Sequence, residues 1–463
     1  MLNHLRRRPG FYRRLFRLAL PLILQNLVTT SLGFVDTFMV GLLGSDELSA
    51  VTAANTPIFL VQIIILGLLS GQTILVSQYW GKGDQDAINR CTGVALYFGL
   101  AISSLVALTL LLFPRAVMSM VTDNALLVEL GTPYVRIVGI SYVFNAASSV
   151  YIGMQRSTEN PLMGMVVFTV SMLLNTALNY VLIFGKLGVP AMGVTGAAAA
   201  TLLSRIAEFL IVAVYALRDR RVPLRPRQLL RPGTAITRDF LKYASPVLVN
   251  ETMWGLGVSV MTAIMGHMAI SAEILAAHAI MGNIEKFATV ACFGVAGATS
   301  VMVGKRIGEG APKEEVYSLG CCLLQVSFLV GLAVSLCLAV LLPTVFRPIV
   351  FPLFHLEGLS LEIAVIMCTV LICMLPPKAF DITNITGLLR AGGDARMASI
   401  IDLTCQWGIA VPLSILTALV LDAPVAVVCL AIQSENFCKM PWGIFRLRSR
   451  KWINNVTKGP DKQ

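Results

Sequence analysis

The chain has 463 residues, of which 56 % are hydrophobic and only 13 % charged, against about 25 % charged in soluble domains. So apolar a chain excludes a large soluble domain, a nucleic-acid-binding module and a secreted disulfide scaffold, and it points to a membrane. The net charge of +11 comes from basic residues lying between apolar runs, where they act as topology signals rather than as a nucleic-acid surface.

Twelve apolar runs follow in chain order, at 18–42, 51–78, 92–113, 127–153, 162–184, 192–217, 243–266, 273–303, 315–342, 362–389, 396–420 and 422–446. Each reaches the roughly 20 residues that a membrane-crossing helix needs. Runs of this length are not barrel strands, and no other structure satisfies the backbone inside lipid. The expected fold is an all-α membrane protein with twelve transmembrane helices. The Arg-rich start runs directly into a full-length span, so no cleavable signal peptide is expected. The ten cysteines lie mostly inside apolar runs, no CxxC occurs, and the four histidines are scattered. Neither a metal site, a disulfide framework nor a bound cofactor is expected.

Orientation follows from Lys and Arg. Placing the N-terminus, the even-to-odd loops and the C-terminus on one side collects 28 basic residues there, from Arg6 to Lys462. The opposite loops hold three, Arg115, Lys186 and Arg347, and five more lie inside spans. Both termini are therefore expected in the cytoplasm. The longest hydrophilic stretch, Arg218 to Lys242, carries three prolines among its arginines. It is expected to separate an N-terminal lobe, 1–217, from a C-terminal lobe, 243–463, as a cytoplasmic loop, 218–242.

The two halves repeat. Leu20-Pro21 opens the first span and Ser245-Pro246 the seventh; Gly41 and Gly266 close them, at an offset of 225 residues. Gly81-Lys82-Gly83 faces Gly308-Glu309-Gly310 at an offset of 227, and Gly153 to Arg156 faces Gly387 to Arg390 at 234. Loop insertions produce such ordered drift. Six spans per half is even, so the repeats are parallel, a plan that transporters use as two lobes around a midplane site.

Span 1 reads Pro21-Leu22-Ile23-Leu24-Gln25-Asn26, then Val35-Asp36-Thr37-Phe38-Met39-Val40-Gly41. After span 10 comes Gly387-Leu388-Leu389-Arg390-Ala391-Gly392-Gly393-Asp394. With the six-plus-six repeat, these motifs resemble the multidrug and toxic-compound extrusion (MATE) family across essentially the whole chain. The resemblance implies a V-shaped pair of six-helix lobes and cation-coupled efflux of organic, often cationic, compounds. It points to Asp36 as a coupling acid and to Pro21 as the proline at which the first helix bends.

A charge inside the bilayer costs several kcal/mol unless it meets a partner or a water-filled cavity. Asp36 lies about six residues, or roughly 9 Å, beyond the midpoint of its span, among apolar neighbours and with no basic residue near it in sequence. It could bind a proton or Na⁺ in turn with substrate, or serve as a structural hydrogen-bond acceptor. Asn175 and Asn179 lie one turn apart on span 5 at a similar depth. In one branch of the family the second of these positions is an acid; here the amide keeps the hydrogen bonds and loses the charge. With Gln25, these amides are candidates for substrate or cation binding, or for interhelical hydrogen bonding.

The C-terminal half offers Glu251, five residues after Pro246, and Asp381 on span 10, which could together form a cation site. Glu251 loosely matches the family's seventh-helix glutamate; Asp381 lies six residues before Gly387, nearer than the family's tenth-helix aspartate. Lys378, three residues before Asp381, is placed to neutralise it, and Lys286 to neutralise Glu285 or Glu251. Arg205 with Glu208, and Glu435 with Lys439, have the spacing of local ion pairs.

The expectation is therefore an inner-membrane antiporter, not an enzyme, exporting small amphiphilic or cationic compounds against a proton or Na⁺ gradient. Its partners would be the small-molecule substrate and the lipid bilayer, with no nucleic acid, and it would act as a monomer. The alternative is a lipid-linked precursor flippase of the same superfamily, which would call for extra spans and a cationic cavity.

Overall fold

The computed structural model describes residues 9–457 other than His355. Both termini, with Arg6 to Arg8, Lys458 and Lys462 of the basic count, lie outside the described residues. Among the described residues the elements are helical, with no strand, and eleven helical segments are long and apolar enough to cross a membrane.

The first seven elements are α1 (Pro9–Gly41), α2 (Ser45–Lys82), α3 (Gln85–Leu112), the short α4 (Pro114–Val121), α5 (Ala125–Ser157), α6 (Pro161–Phe184) and α7 (Gly193–Arg218). A short α8 (Pro226–Leu230) interrupts the hydrophilic stretch, followed by α9 (Thr234–Gly266), α10 (Ser271–Gly308) and α11 (Lys313–Leu341). Local chemistry sets the boundaries. The Asp84 carboxylate accepts from Ala87 N–H at 2.9 Å and caps α3. Pro161 starts α6, and Gly185 ends it at φ 67°, a left-handed conformation that glycine adopts at no steric cost. The repeat-related glycines of the α2–α3 and α10–α11 loops share this device: Gly83 has φ 78° and Gly310 φ 76°.

The C-terminal half departs from uniform α-helix. Residues Leu342–Val350 continue α11 as a π-helical stretch into a one-turn α12 (Phe351–Leu353), so span 9 runs well past its expected end at 342. Then α13 (Gly358–Ile382) passes into a π-helical segment, Thr383–Leu389, just after Pro376, Pro377 and Asp381. Widened turns of this kind occur mostly as local bulges, frequently at functional sites. Span 11 is α14 (Ala395–Cys405) and α15 (Val411–Ile415) with π-helical turns after each.

The expected twelfth span, 422–446, is α16 (Val425–Ile432) and α17 (Ser434–Ser449), broken at Gln433. Neither piece reaches membrane-crossing length alone, and α17 carries Glu435, Lys439, Arg446 and Arg448. Polar residues at the break end the apolar run that composition alone joined. The tail beyond α17 is docked: Trp452 is fully buried, its indole N–H donates to the Leu447 carbonyl at 3.1 Å, and Asn454 N–H donates to the Gly392 carbonyl at 2.8 Å.

The compact units do not coincide with the expected lobes. One comprises Leu24–Leu248; the other combines Met1–Ile23 with Val249–Gln463. The boundaries fall inside α1 and α9, not in the 218–242 loop. The reason is packing. Leu15, Leu18, Ala19 and Leu22 of α1 are buried in a cluster with Val301, Leu323 and Leu388, which are C-terminal-half residues. Conversely Phe98 of α3 stacks on Phe240 of α9, ring centroids 6.5 Å apart, and Tyr97 donates to the Leu230 carbonyl at 2.9 Å.

Candidate functional site

In the unit Leu24–Leu248, α1, α5, α6 and α7 bring polar side chains together inside the apolar layer. The Asp36 carboxylate accepts a short hydrogen bond from the Asn179 side-chain amide. The same amide nitrogen donates to Asn175 Oδ1 at 3.1 Å, and Asn175 Nδ2 donates to Ser204 Oγ at 3.4 Å. Asn175 and Asn179 are buried, whereas Asp36 is only partly so. Both amides lie on one face of α6 because four residues make just over one helical turn. The structure thus unites Asp36, Asn175 and Asn179, three residues that the sequence singled out separately.

A cation that is distant in sequence joins them. Arg205 acts electrostatically on Asp36 while its guanidinium is held by Glu208 at 2.7 Å. The Arg205–Glu208 pair is therefore local, as its spacing suggests, and Arg205 is also an electrostatic neighbour of Asp36. Tyr134 of α5 is a further electrostatic neighbour of Asp36. The signal for Arg205 was its place inside an apolar span; nothing in the sequence says which acid it faces. Gln25 stands apart, about three turns back along α1, against Gly164 at the start of α6. Its Oε1 is buried without a hydrogen-bond partner among the described residues.

In the other unit, Glu251 forms an ion pair with Arg390 at 2.7 Å, and the arginine is 3 % exposed. The motif residue Arg390 therefore supplies the partner that Lys286, an exposed residue, was expected to supply. Lys378 forms its ion pair with Glu285, not with Asp381. The three-residue spacing on α13 does not decide the pairing, because Glu285 of α10 reaches the ammonium first. Asp381 is 3 % exposed, and both carboxylate oxygens lack a hydrogen-bond partner among the described residues. Asn384, three residues on and fully buried, has neither amide atom hydrogen-bonded among the described residues.

Beside Asp381 lies a charged cluster. Lys439 of α17 bonds Asp402 of α14 at 2.6 Å and Glu435 at 2.9 Å, and Asn250 of α9 donates to Asp402 at 2.8 Å. Lys439, Glu435 and Asp402 all act electrostatically on Asp381. Glu435–Lys439 is the local pair expected from its spacing; Asp402, Asn250 and Asn384 were not singled out from sequence. Glu251 and Asp381 are thus held differently, one by a guanidinium and the other beside an ammonium already bound to two other carboxylates.

The MatE family model matches residues 21–181 and 246–416, the two repeated halves. The chain belongs to the MatE family. Members of this family are transporters that carry out multidrug efflux, and this chain is a multi-pass membrane transporter of that kind. It is 25 % identical to the probable multidrug resistance protein YoeA of Bacillus subtilis, over 88 % of this chain and 87 % of that protein. It is 27 % identical to the multidrug resistance protein MdtK of Pectobacterium atrosepticum, over 88 % of each. Its fold is similar to that of a multidrug resistance MATE family transporter of the MOP superfamily solved in an outward-facing conformation, with a TM-score of 0.85 and 21 % identity. That similarity covers 97 % of this chain and 98 % of the other. A MOP superfamily transporter from Pyrococcus furiosus is similar with a TM-score of 0.84, 21 % identity and coverage of 95 % and 96 %. The MatE match spans both Pro21 and Pro246 and includes Asp36, Asn175, Glu251 and Asp381.

Proposed function

We propose that this transporter is a cation-coupled antiporter that exports small amphiphilic or cationic organic compounds across the inner membrane by alternating access. A proton or Na⁺ is the coupling ion, and Asp36 is the principal coupling carboxylate. The observation that carries this reading is the Asp36–Asn179–Asn175 chain. Neutral amides orient the carboxylate without supplying a counter-charge, and the nearby cation Arg205 is already engaged by Glu208. Such a carboxylate keeps the capacity to take up and release a cation.

Occupancy of Asp36 changes the charge of a partly buried site. A ligand shifts a two-state equilibrium only by its differential affinity for the two states. A cation held in one state and a substrate in the other therefore exchange across the membrane. Asp381, buried and with no hydrogen-bond partner among the described residues, is the secondary candidate; Glu251, already neutralised by Arg390, ranks below it. In this reading both termini are cytoplasmic and the protein works as a monomer.

The test is transport in proteoliposomes under separately imposed proton and Na⁺ gradients, with an organic cation such as ethidium as substrate. Accumulation driven by one gradient, and lost in Asp36→Asn, supports the reading. Gradient-independent flux, or current without substrate, would replace the antiporter with a channel.

A further inference from the structure

Arg156, in the last turn of α5, is a cation that the coupling site does not use. Its Nε is buried without a hydrogen-bond partner among the described residues, and its guanidinium reaches the Thr73 hydroxyl at 3.4 Å. That hydroxyl is neutral and already donates to the Leu69 carbonyl at 2.8 Å. No carboxylate among the described residues offsets the burial of this charge. Glu159, three residues on, accepts from the Trp80 indole at 3.2 Å, and Asp219 accepts from Tyr151 and Gln155. A cation suits the C-terminal end of a helix, but that dipole offsets only a fraction of the desolvation of a guanidinium.

The internal duplication supplies a comparison within the molecule. The offset of 234 carries Arg156 to Arg390 and Gly153 to Gly387. Their surroundings match: a side chain at Gly153 would run into Leu69 and Gln72, and one at Gly387 into Ala296 and Thr299, which the offset of 227 equates. In the other unit Arg390 meets Glu251 at 2.7 Å and also acts on Asp402. Those two acids correspond to Asn26, at the offset of 225, and to Phe168, at 234. In the loop that follows, Glu159 replaces Gly393 and Asn160 replaces Asp394, so the acid gained there is the one that faces Trp80. The first half has kept the arginine and lost both acids that face its counterpart. The first helix still passes close by: Gln25 and Ile152, one turn of α5 before Arg156, close over Gly164 and leave no room for a Cβ there.

We propose that Arg156 is an anion-binding residue that takes the carboxylate of a zwitterionic organic substrate. A guanidinium offers a planar fork that matches two carboxylate oxygens. One carboxylate restores the balance that Glu251 gives Arg390 in the other half. The side chain is not sealed off, since part of it stays exposed. The unit Leu24–Leu248 then offers a group of each sign, Asp36 for a cationic centre and Arg156 for an anionic one. That the carboxylate belongs to an exported substrate rests on the function proposed above; the anion site itself does not.

Full-length protein in nanodiscs is titrated against two dyes by fluorescence anisotropy, with empty nanodiscs subtracted. Rhodamine B is a zwitterion with a free benzoate; rhodamine B ethyl ester is the same dye as a cation. The wild type is expected to bind the free acid about tenfold more tightly than the ester. Arg156→Gln should remove that preference, and Arg156→Lys should keep part of it. Asn26→Glu supplies the acid that the first helix lacks, and it should remove the preference with Arg156 in place. A wild type that binds the two dyes alike, or neither, overturns the proposal, as does a preference that survives Arg156→Gln. Competition by chloride as strong as that by acetate would keep the anion site and overturn the carboxylate assignment. Gradient-driven export of both dyes is read separately in proteoliposomes. Export that fails while the binding preference holds overturns the antiporter and leaves the anion site; export of both dyes without a binding preference overturns the anion site alone.

Discussion

Pro21 and Pro246 stand at the same point in two helices: each lies three residues before the first residue of the next compact unit, Leu24 in α1 and Val249 in α9. A proline inside a helix removes one hydrogen bond and crowds the carbonyl four residues earlier, here those of Arg17 and Lys242. The ladder is therefore weakest just where each helix passes from one packing environment to the other. The duplication has kept this arrangement in both halves.

Restoring that ladder should stiffen both passages. Pro21→Ala and Pro246→Ala are each expected to fold with undiminished thermal stability. Each should slow transport about tenfold, equivalent to roughly 1.4 kcal/mol of barrier. Initial uptake rates in proteoliposomes at a fixed gradient measure this. Wild-type rates in both variants would reduce the prolines to static features of packing.

Asp36→Asn should abolish gradient-driven efflux while leaving expression near wild type, because the amide preserves the contact with Asn179 and loses the charge. Asn179→Asp should place a second titrating carboxylate beside Asp36 and shift the pH profile of transport. Efflux that stays gradient-dependent in Asp36→Asn would remove that residue from coupling. An unmoved pH profile in Asn179→Asp would place coupling in the other unit.

Glu251 is best tested together with Arg390. Leaving one charge of a buried pair uncompensated costs about 3–5 kcal/mol, so Glu251→Gln should lower the unfolding temperature markedly. The double variant Glu251→Gln, Arg390→Gln should regain much of that stability. Ion coupling that returns with stability marks Glu251 as structural. Coupling still absent in a stable double variant gives it a direct role.

Asp381 should behave in the opposite way. Its oxygens have no hydrogen-bond partner among the described residues, so Asp381→Asn is expected to be neutral or stabilising in a thermal melt, while coupling weakens. A large drop in stability would show instead that Asp381 is needed to balance Lys439.

Orientation is open to labelling. In an otherwise cysteine-free background, a single cysteine in the 266–273 loop should react with an impermeant reagent added outside, and one at residue 230 should not. The reverse pattern would invert the topology.

Much of this protein is legible without coordinates. Apolar runs of bilayer length have no alternative to helix, so the spans and their near-even division follow from composition. The repeat follows from glycines and prolines held in register, such as Gly83 with Gly310 and Pro21 with Pro246. Asp36 stands out because a carboxylate among Val35, Phe38 and Met39 needs an account wherever it lies. Asn175 and Asn179 follow because their spacing puts both amides on one helical face.

Tertiary structure alone decided which charges meet. Lys378 is three residues from Asp381, yet it pairs with Glu285, and Glu251 takes Arg390 from 139 positions away. Pairing in a low-dielectric interior depends on which side chains adjoining helices bring within a few ångströms. Helical periodicity fixes a face without naming the neighbour it presents. The same limit explains the compact units. The sequence marks its clearest hydrophilic boundary at 218–242, but Leu15 and Leu22 settle in the second half's core, and Phe240 in the first's. Burial of apolar surface, not the position of the linker, determines where one unit ends and the other begins.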